Sequence, residues 1–210
     1  MKRVGVFAVV SIALAGLLGS PARSDDALTV AKGSVTPGDG QSVTFKGSPL
    51  PLAGNPIKLG QPLPASTLTG GNMAPVNIAE PTGKVRIISV VPSLDTPTCD
   101  AQTHELSEKD PALANIEMVT VSMDLPFAQK RWCGAAGVDR VKTLSDFRGQ
   151  TFSQNYGVLL KDGPLAGVDA RAVFVVGKDG KVKYVEYVSE IANEPNYEAT
   201  LAAAKAAAGA

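Results

Sequence analysis

Two kinds of apolar pattern alternate along the chain. Short dense runs, Val85–Val91 (VRIISVV) and Glu117–Met123 (EMVTVSM), have the length and β-branched content of strands covered on both faces. Stretches of helical character separate and follow them: roughly 97–108, Leu125–Trp132 with Asp124 as candidate cap, and Arg148–Tyr156. Val141–Leu144 reads as a further short strand. Ala172–Val176 and Lys181–Val188 flank Lys178-Asp179-Gly180, a hairpin signal. In the second arm Val182, Tyr184, Glu186 and Val188 alternate against Lys183, Val185 and Tyr187. Asn196–Ala208 is alanine-rich and predicts a closing helix, with Pro195 suited to its first turn.

Upstream, Ser42–Phe45 and Pro49–Leu52 flank Lys46-Gly47-Ser48, a second hairpin signal. Residues 53–84 are rich in Pro and Gly, with short strands near Ser66–Leu68 and Val76–Ile78. The order strand, helix, strand, helix, strand, hairpin, helix implies parallel strands with helical crossovers and antiparallel edges. The expected class is α/β, a mixed central sheet flanked by helices on both faces, with an N-terminal β-hairpin. No repeat of 20 to 50 residues interrupts this reading.

The first residues belong to a different pattern. Met1-Lys2-Arg3 is basic, Val4–Gly19 is an uncharged apolar run, and Ser20-Pro21-Ala22-Arg23-Ser24 supplies small residues for cleavage. The run is short for a span of roughly 20 residues, so residues 1–24 are expected to be a signal peptide cleaved near 22–24 rather than a membrane anchor. Residues 25–40, rich in Gly, Ser, Asp and Thr, read as a flexible leader. Residues 41–210 are then one domain of ordinary core content, at 44% hydrophobic residues over the whole chain. Export, in a bacterium to the periplasm, would place the protein where disulfides persist.

Charge narrows the functional classes. Twenty basic and 20 acidic residues cancel, without long runs of either sign, which argues against nucleic acid or an acidic membrane surface as partner. Aromatic residues, at 5%, are too sparse for a base-stacking platform.

Two cysteines remain as candidate chemistry. With Thr96 as N-cap and Pro97 as the first helical residue, Cys99 falls in the first turn, and the Thr96 hydroxyl can reach the N–H of residue 98 or 99. Free N–H groups and the helix dipole there favour negative charge, which suits a thiolate nucleophile exposed at the carboxyl edge of a sheet. Read alone, Cys99 fits a small buried hydrophobe equally well. Cys133 follows the second predicted helix, with Gly134 as its terminator. The pair is not CxxC, and with one histidine it makes no convincing zinc site. A structural disulfide stabilising the fold by roughly 3–4 kcal/mol stays open at this point. His104, five positions after Cys99, is badly placed as its base and reads as a helix-surface residue. Tyr184 and Tyr187 read as sheet packing.

The motif PxxxTxxC, formed by Pro92, Thr96 and Cys99, is similar to the peroxidatic motif of peroxiredoxins. The region 41–205 resembles the bacterial thiol peroxidases, atypical two-cysteine peroxiredoxins. The resemblance is carried by VTFKGSPLPLAG, PSLDTPTCDA, SMDLPFAQKRWCGAAG, TLSDFRGQTFSQNYGV, PLAGVDARAVFVV and EIANEPNYEATL. It implies a thioredoxin-like fold, a homodimer, and reduction of hydroperoxides, alkyl hydroperoxides commonly before hydrogen peroxide. It further implies that Cys99 is the peroxidatic cysteine, Cys133 the resolving one, and Arg171 (in DARAVFVV) the arginine completing a site with Thr96 and Pro92. No metal, haem or flavin cofactor is implied. The reductant would be a thioredoxin-like dithiol, although the leader puts thioredoxin itself in question. Trp132 departs from the pattern, standing where Phe is common.

On this reading the Cys99 thiolate attacks one peroxide oxygen and expels the other. The sulfenic acid condenses with Cys133, and an external dithiol restores both thiols. Local unwinding is expected around 97–101 and 128–135. The competing readings are a non-catalytic thioredoxin-like redox carrier or holdase, and an exported domain whose disulfide only stabilises it.

Overall fold

A computed structural model of the chain describes residues 42–107 and 113–209. The expected signal peptide and leader lie outside them. A hairpin opens the described chain: β1 (Ser42–Phe45) and β2 (Ser48–Ala53) pair antiparallel. Lys46 and Gly47 both have positive φ, 50° and 77°, the turn whose twist matches the flanking strands. β3 (Thr67–Gly70), β4 (Pro75–Asn77) and β5 (Arg86–Val90) follow, then α1 (Pro97–Ser107), β6 (Glu117–Ser122), α2 (Pro126–Ala136), β7 (Val141–Ser145) and α3 (Thr151–Asn155). The chain closes with β8 (Leu159–Leu160), β9 (Ala172–Val176), β10 (Val182–Tyr187) and α4 (Tyr197–Ala208).

Seven strands form one mixed sheet in the order β10-β9-β5-β6-β7-β3-β4. β5, β6 and β7 run parallel, joined through α1 and α2, and antiparallel strands extend both edges. Three helices cover one face: Leu106 of α1, Trp132 of α2, and Ala203 and Ala204 of α4 pack with Ile87, Met118, Val173 and Val175. The other face carries α3 and a three-stranded sheet, β1-β2-β8, which bury Ile88, Val121, Phe174 and Tyr187 with Phe152 and Tyr156. The α/β expectation holds. All five residues of β5 are buried because the strand is central and covered on both sides.

Several boundaries differ for local reasons. α2 runs on through Cys133 and Gly134 to Ala136, and Gly137, at φ 66°, ends it by donating its N–H to the Cys133 carbonyl. Asp124 does not cap α2: Leu125 is the N-cap, and the Asp124 carboxylate accepts bonds from the loop after β5 instead. Pro195 lies outside α4, whose cap is Asn196, its side chain accepting from the Ala199 N–H. The third helix starts late because Gly149 and Gln150 both hold positive φ, 86° and 55°. The β9–β10 hairpin forms as expected, with Gly180 at φ 72° beyond the turn. A bulge between Val182 and Tyr184 then resets the alternation, so Val182 shares a face with Val185 and Tyr187 while Tyr184 faces the helices. β8, two residues long, carried no readable period. Among the described residues no helix is long and apolar enough to cross a membrane.

Candidate active site

Pro92 is buried just past the end of β5 and begins the loop that feeds α1. Asp124, beyond the end of parallel β6, holds this loop: one carboxylate oxygen accepts from the Ser93 hydroxyl at 2.7 Å, the other from the Leu94 N–H at 2.8 Å and the Ser122 hydroxyl at 2.8 Å. α1 then starts at Pro97, with Asp100 donating its N–H to the Thr96 carbonyl at 2.9 Å. Thr96 therefore occupies the N-cap position. Its hydroxyl, however, donates to the Ser93 carbonyl at 3.2 Å and tightens the loop. Thr96 itself is exposed, so this hydroxyl stands where solvent meets the loop.

Cys99 lies in the first turn as expected, but its side chain is turned inward and fully buried. The helix's outer surface begins with Pro97 and Asp100, and residue 99 falls on the side facing the sheet. Arg171, immediately before β9, reaches it across that sheet: Nη2 lies 3.4 Å from the Cys99 sulfur. Arg171 is itself 2% exposed. Its remaining donors are held, Nε by the Ile191 carbonyl at 2.9 Å and Nη1 by Gln102 Oε1. None of these acceptors is a carboxylate. The guanidinium therefore places a fixed positive charge at contact distance from the sulfur.

Gln102 was missed from the sequence. It lies one helical turn beyond Cys99 on the buried face, and it donates from Nε2 to the Ser89 hydroxyl of β5 at 2.8 Å while accepting from Arg171. The i, i+3 spacing from Cys99 was a usable signal, since both residues must share the sheet-facing side of α1.

Cys133 sits apart from this group. Half-buried on α2, it faces Thr143 of β7, with its sulfur 3.9 Å from that hydroxyl, and burial pushes its thiol up from the ordinary value. Both cysteines are free thiols. The Cys99 sulfur is held against Arg171 Nη2 and the Cys133 sulfur against the Thr143 hydroxyl, so the two free thiols have different partners and joining them requires rearrangement. His104 contacts the Trp132 ring edge-on, centroids 5.7 Å apart, and lies 3.8 Å from Asp100. Tyr184 and Tyr187 pack in the sheet, 3% and 1% exposed.

Behind the site is a buried carboxyl group without a matched donor. Asp169 is fully buried, and neither of its side-chain oxygens has a hydrogen-bond partner. The nearby Ser153 hydroxyl donates to Asp146 instead. Burial, reinforced by the charges of Asp146 and Asp124, pushes the Asp169 carboxyl up to about 8. Its unfolded value is about 3.9. Between those values the folded chain holds a proton the unfolded chain has released, so stability falls as pH rises from about 4 to about 8. Asp169→Asn removes that titration. Its melting temperature should exceed that of the parent by about 5 °C or more at pH 8.5 and lie much nearer to it at pH 4.5. Parallel melting curves across this range would show that Asp169 is ionised throughout.

A buried thiol in a helix's first turn, an arginine against it, and a second thiol on a neighbouring helix define a cysteine-based redox protein on a thioredoxin-like α/β scaffold. The Redoxin family pattern matches residues 58–201. The chain is 51% identical over 166 residues to a thiol peroxidase from Halalkalibacterium halodurans, covering 79% of this chain and 98% of that one. It is 48% identical over 164 residues to a thiol peroxidase from Bacillus subtilis, covering 78% and 96%. Among solved structures, a peroxiredoxin-like protein from Aquifex aeolicus superposes with a TM-score of 0.75 at 38% identity, over 80% of this chain and 98% of that one. The chain belongs to the Redoxin family and, within it, to the thiol peroxidases.

Proposed function

We propose that this thiol-dependent peroxidase reduces hydroperoxides, alkyl hydroperoxides and hydrogen peroxide, through Cys99 as the peroxidatic residue and Cys133 as the resolving one. The observation carrying this assignment is the Arg171 guanidinium 3.4 Å from the buried Cys99 sulfur. The fixed positive charge stabilises negative charge developing on the leaving oxygen. The thiolate attacks one peroxide oxygen, the O–O bond breaks, and the other oxygen leaves as alcohol or water after taking a proton. Thr96, exposed at the loop, orients the peroxide through its hydroxyl, and Pro92 shields the sulfur. The Cys99 sulfenic acid then condenses with the Cys133 thiol, releasing water and forming the disulfide. A thioredoxin-like dithiol attacks that disulfide and returns both thiols by exchange.

The test is mass spectrometry after substoichiometric peroxide. The parent should show a Cys99–Cys133 link within one chain. Cys133→Ser should take up one equivalent, trap sulfenate at Cys99, and lose dithiol-linked turnover by at least about a hundredfold. Oxidation at Cys133 with Cys99 still reduced would reverse the assignment.

The molecule is further read as a homodimer. Leu125 and Phe127, at 50% and 67% exposure, present apolar side chains where α2 begins, beside the aspartate that anchors the Cys99 loop. Sedimentation equilibrium reads this directly, and a monomer at micromolar concentration would reject it. Residues 1–24 are read as an export signal to the periplasm, on the basic, apolar and small-residue sequence described above. N-terminal sequencing of the protein from its native host should start at Arg23 or Asp25, and a sequence starting at Met1 or Lys2 would reject that reading.

A further inference from the structure

Two side chains join the segments that carry the two cysteines, and each is the immediate neighbour of one of them. The Trp132 indole N–H donates to Asp100 Oδ1 at 3.0 Å, bridging α2 to the first turn of α1. We propose that this bond is a latch on the resolving step: it holds α2 in place while Cys99 reacts with peroxide, and it must open before Cys133 can reach the sulfenic acid. The proposal rests on Cys133 being the resolving residue.

Three features give the latch its position. The first half of α2 is anchored independently: Gln129 is fully buried and donates to the Ser122 hydroxyl at 3.0 Å and the Leu144 carbonyl at 2.9 Å. The second half is intrinsically weak. Gly134 lies in the helix interior, where glycine costs about 1 kcal/mol relative to alanine, and the space around it would admit a Cβ without contact. Packing therefore does not require glycine there, and its effect is to loosen the turn carrying Cys133. The other cross-link, Arg131 to Asp95 at 3.1 Å, is exposed on both sides and contributes little. Trp132, by contrast, is 8% exposed and belongs to the apolar cluster that also contains Cys99.

The two sulfurs start against different partners, Cys99 against the Arg171 guanidinium and Cys133 against the Thr143 hydroxyl of β7. Their approach moves residues 99 and 133 out of the present helix-to-helix spacing. Asp100 and Trp132, bonded directly across that spacing, cannot stay paired while their neighbours close to disulfide distance. Trp132 and Asp100 are thus positioning residues. Cys99–SOH and Cys133–SH lose water to give the S–S bond only from the unlatched form. While latched, the sulfenic acid is exposed to a second peroxide, which would transfer an oxygen to give sulfinic acid and leave as alcohol or water.

Quench-flow of the full chain, with alkylation and mass spectrometry, reads the peroxide step and the disulfide step separately. Trp132→Phe keeps an aromatic ring and removes the donor. Asp100→Ala removes the acceptor at a side chain that is 47% exposed, where loss of the fold is not at issue. Each should speed disulfide formation about five- to tenfold, as expected for a partly exposed bond to a charged acceptor. The double variant should be no faster than either single one, because the same bond is removed. The disulfide should also become harder to reduce by the same factor, about 20–30 mV lower in potential, and less sulfinic acid should accumulate at high peroxide. A disulfide rate in Trp132→Phe equal to or below the parent's, or single effects that multiply in the double variant, overturns the latch. Failure of the parent to form a Cys99–Cys133 disulfide at all overturns the resolving assignment instead, and the latch with it.

Discussion

Cys99→Ser should fall to the background rate of peroxide consumption, a loss of at least about a thousandfold, while folding as the parent does. A serine hydroxyl has almost no anionic form near neutrality, so the attack on oxygen loses its nucleophile. The substitution is close to isosteric in a site where the sulfur is fully buried, so the effect is chemical and not a consequence of repacking. This result separates the peroxidase from a redox carrier or holdase, for which peroxide turnover is incidental. It is read as peroxide loss coupled to a generic dithiol, with circular dichroism confirming the fold. Retention of even a tenth of parental turnover would mean that Cys99 is not the group that meets peroxide.

Arg171→Met should be the most damaging change outside the cysteines, lowering kcat/KM for peroxide by about a hundredfold or more, the scale seen when a single preorganised donor is lost from a reacting centre. Its guanidinium holds three groups at once: the Cys99 sulfur, Gln102 Oε1 and the Ile191 carbonyl. Methionine fills similar volume but leaves two buried oxygens without donors and the sulfur without a counter-charge. Each orphaned acceptor costs about 1–3 kcal/mol, so a lower melting temperature accompanies the loss. Arg171→Lys separates the two effects. It retains a charge but not the planar fork, so it should recover part of the stability and only a minor part of the rate. Near-parental kcat/KM in Arg171→Met would remove electrostatic stabilisation from the mechanism and leave the arginine a structural strut.

Much of the fold was written in local pattern. Val85–Val91 and Glu117–Met123 read as interior strands because apolar and β-branched residues occupy both sets of alternating positions in each run. The two hairpins announced themselves through Lys46-Gly47 and Lys178-Asp179-Gly180, where the backbone needs conformations that glycine supplies. Pro92, Thr96 and Cys99 could be placed at one strand-helix junction because proline and threonine have defined roles there. Cys133 was recognised as chemically distinct, but not where its helix would end. Gly134 has the same intrinsic preference as Gly137, and the cap is decided by which one lies at the carboxyl edge of a helix already packed on β7.

The sequence by itself determined the succession of strands and helices and the first-turn position of Cys99. These depend on neighbours a few residues away, whose propensities and turn chemistry act locally. Arg171 became a candidate only through the resemblance carried by DARAVFVV. Only the tertiary structure decided that Cys99 turns inward beneath Arg171, that Gln102 supports that arginine, that Asp124 ties down the loop, and that Trp132 is bonded to Asp100. Those pairings join residues from different helices and strands, and their geometry is set by strand order and sheet register, which no local stretch of chain encodes.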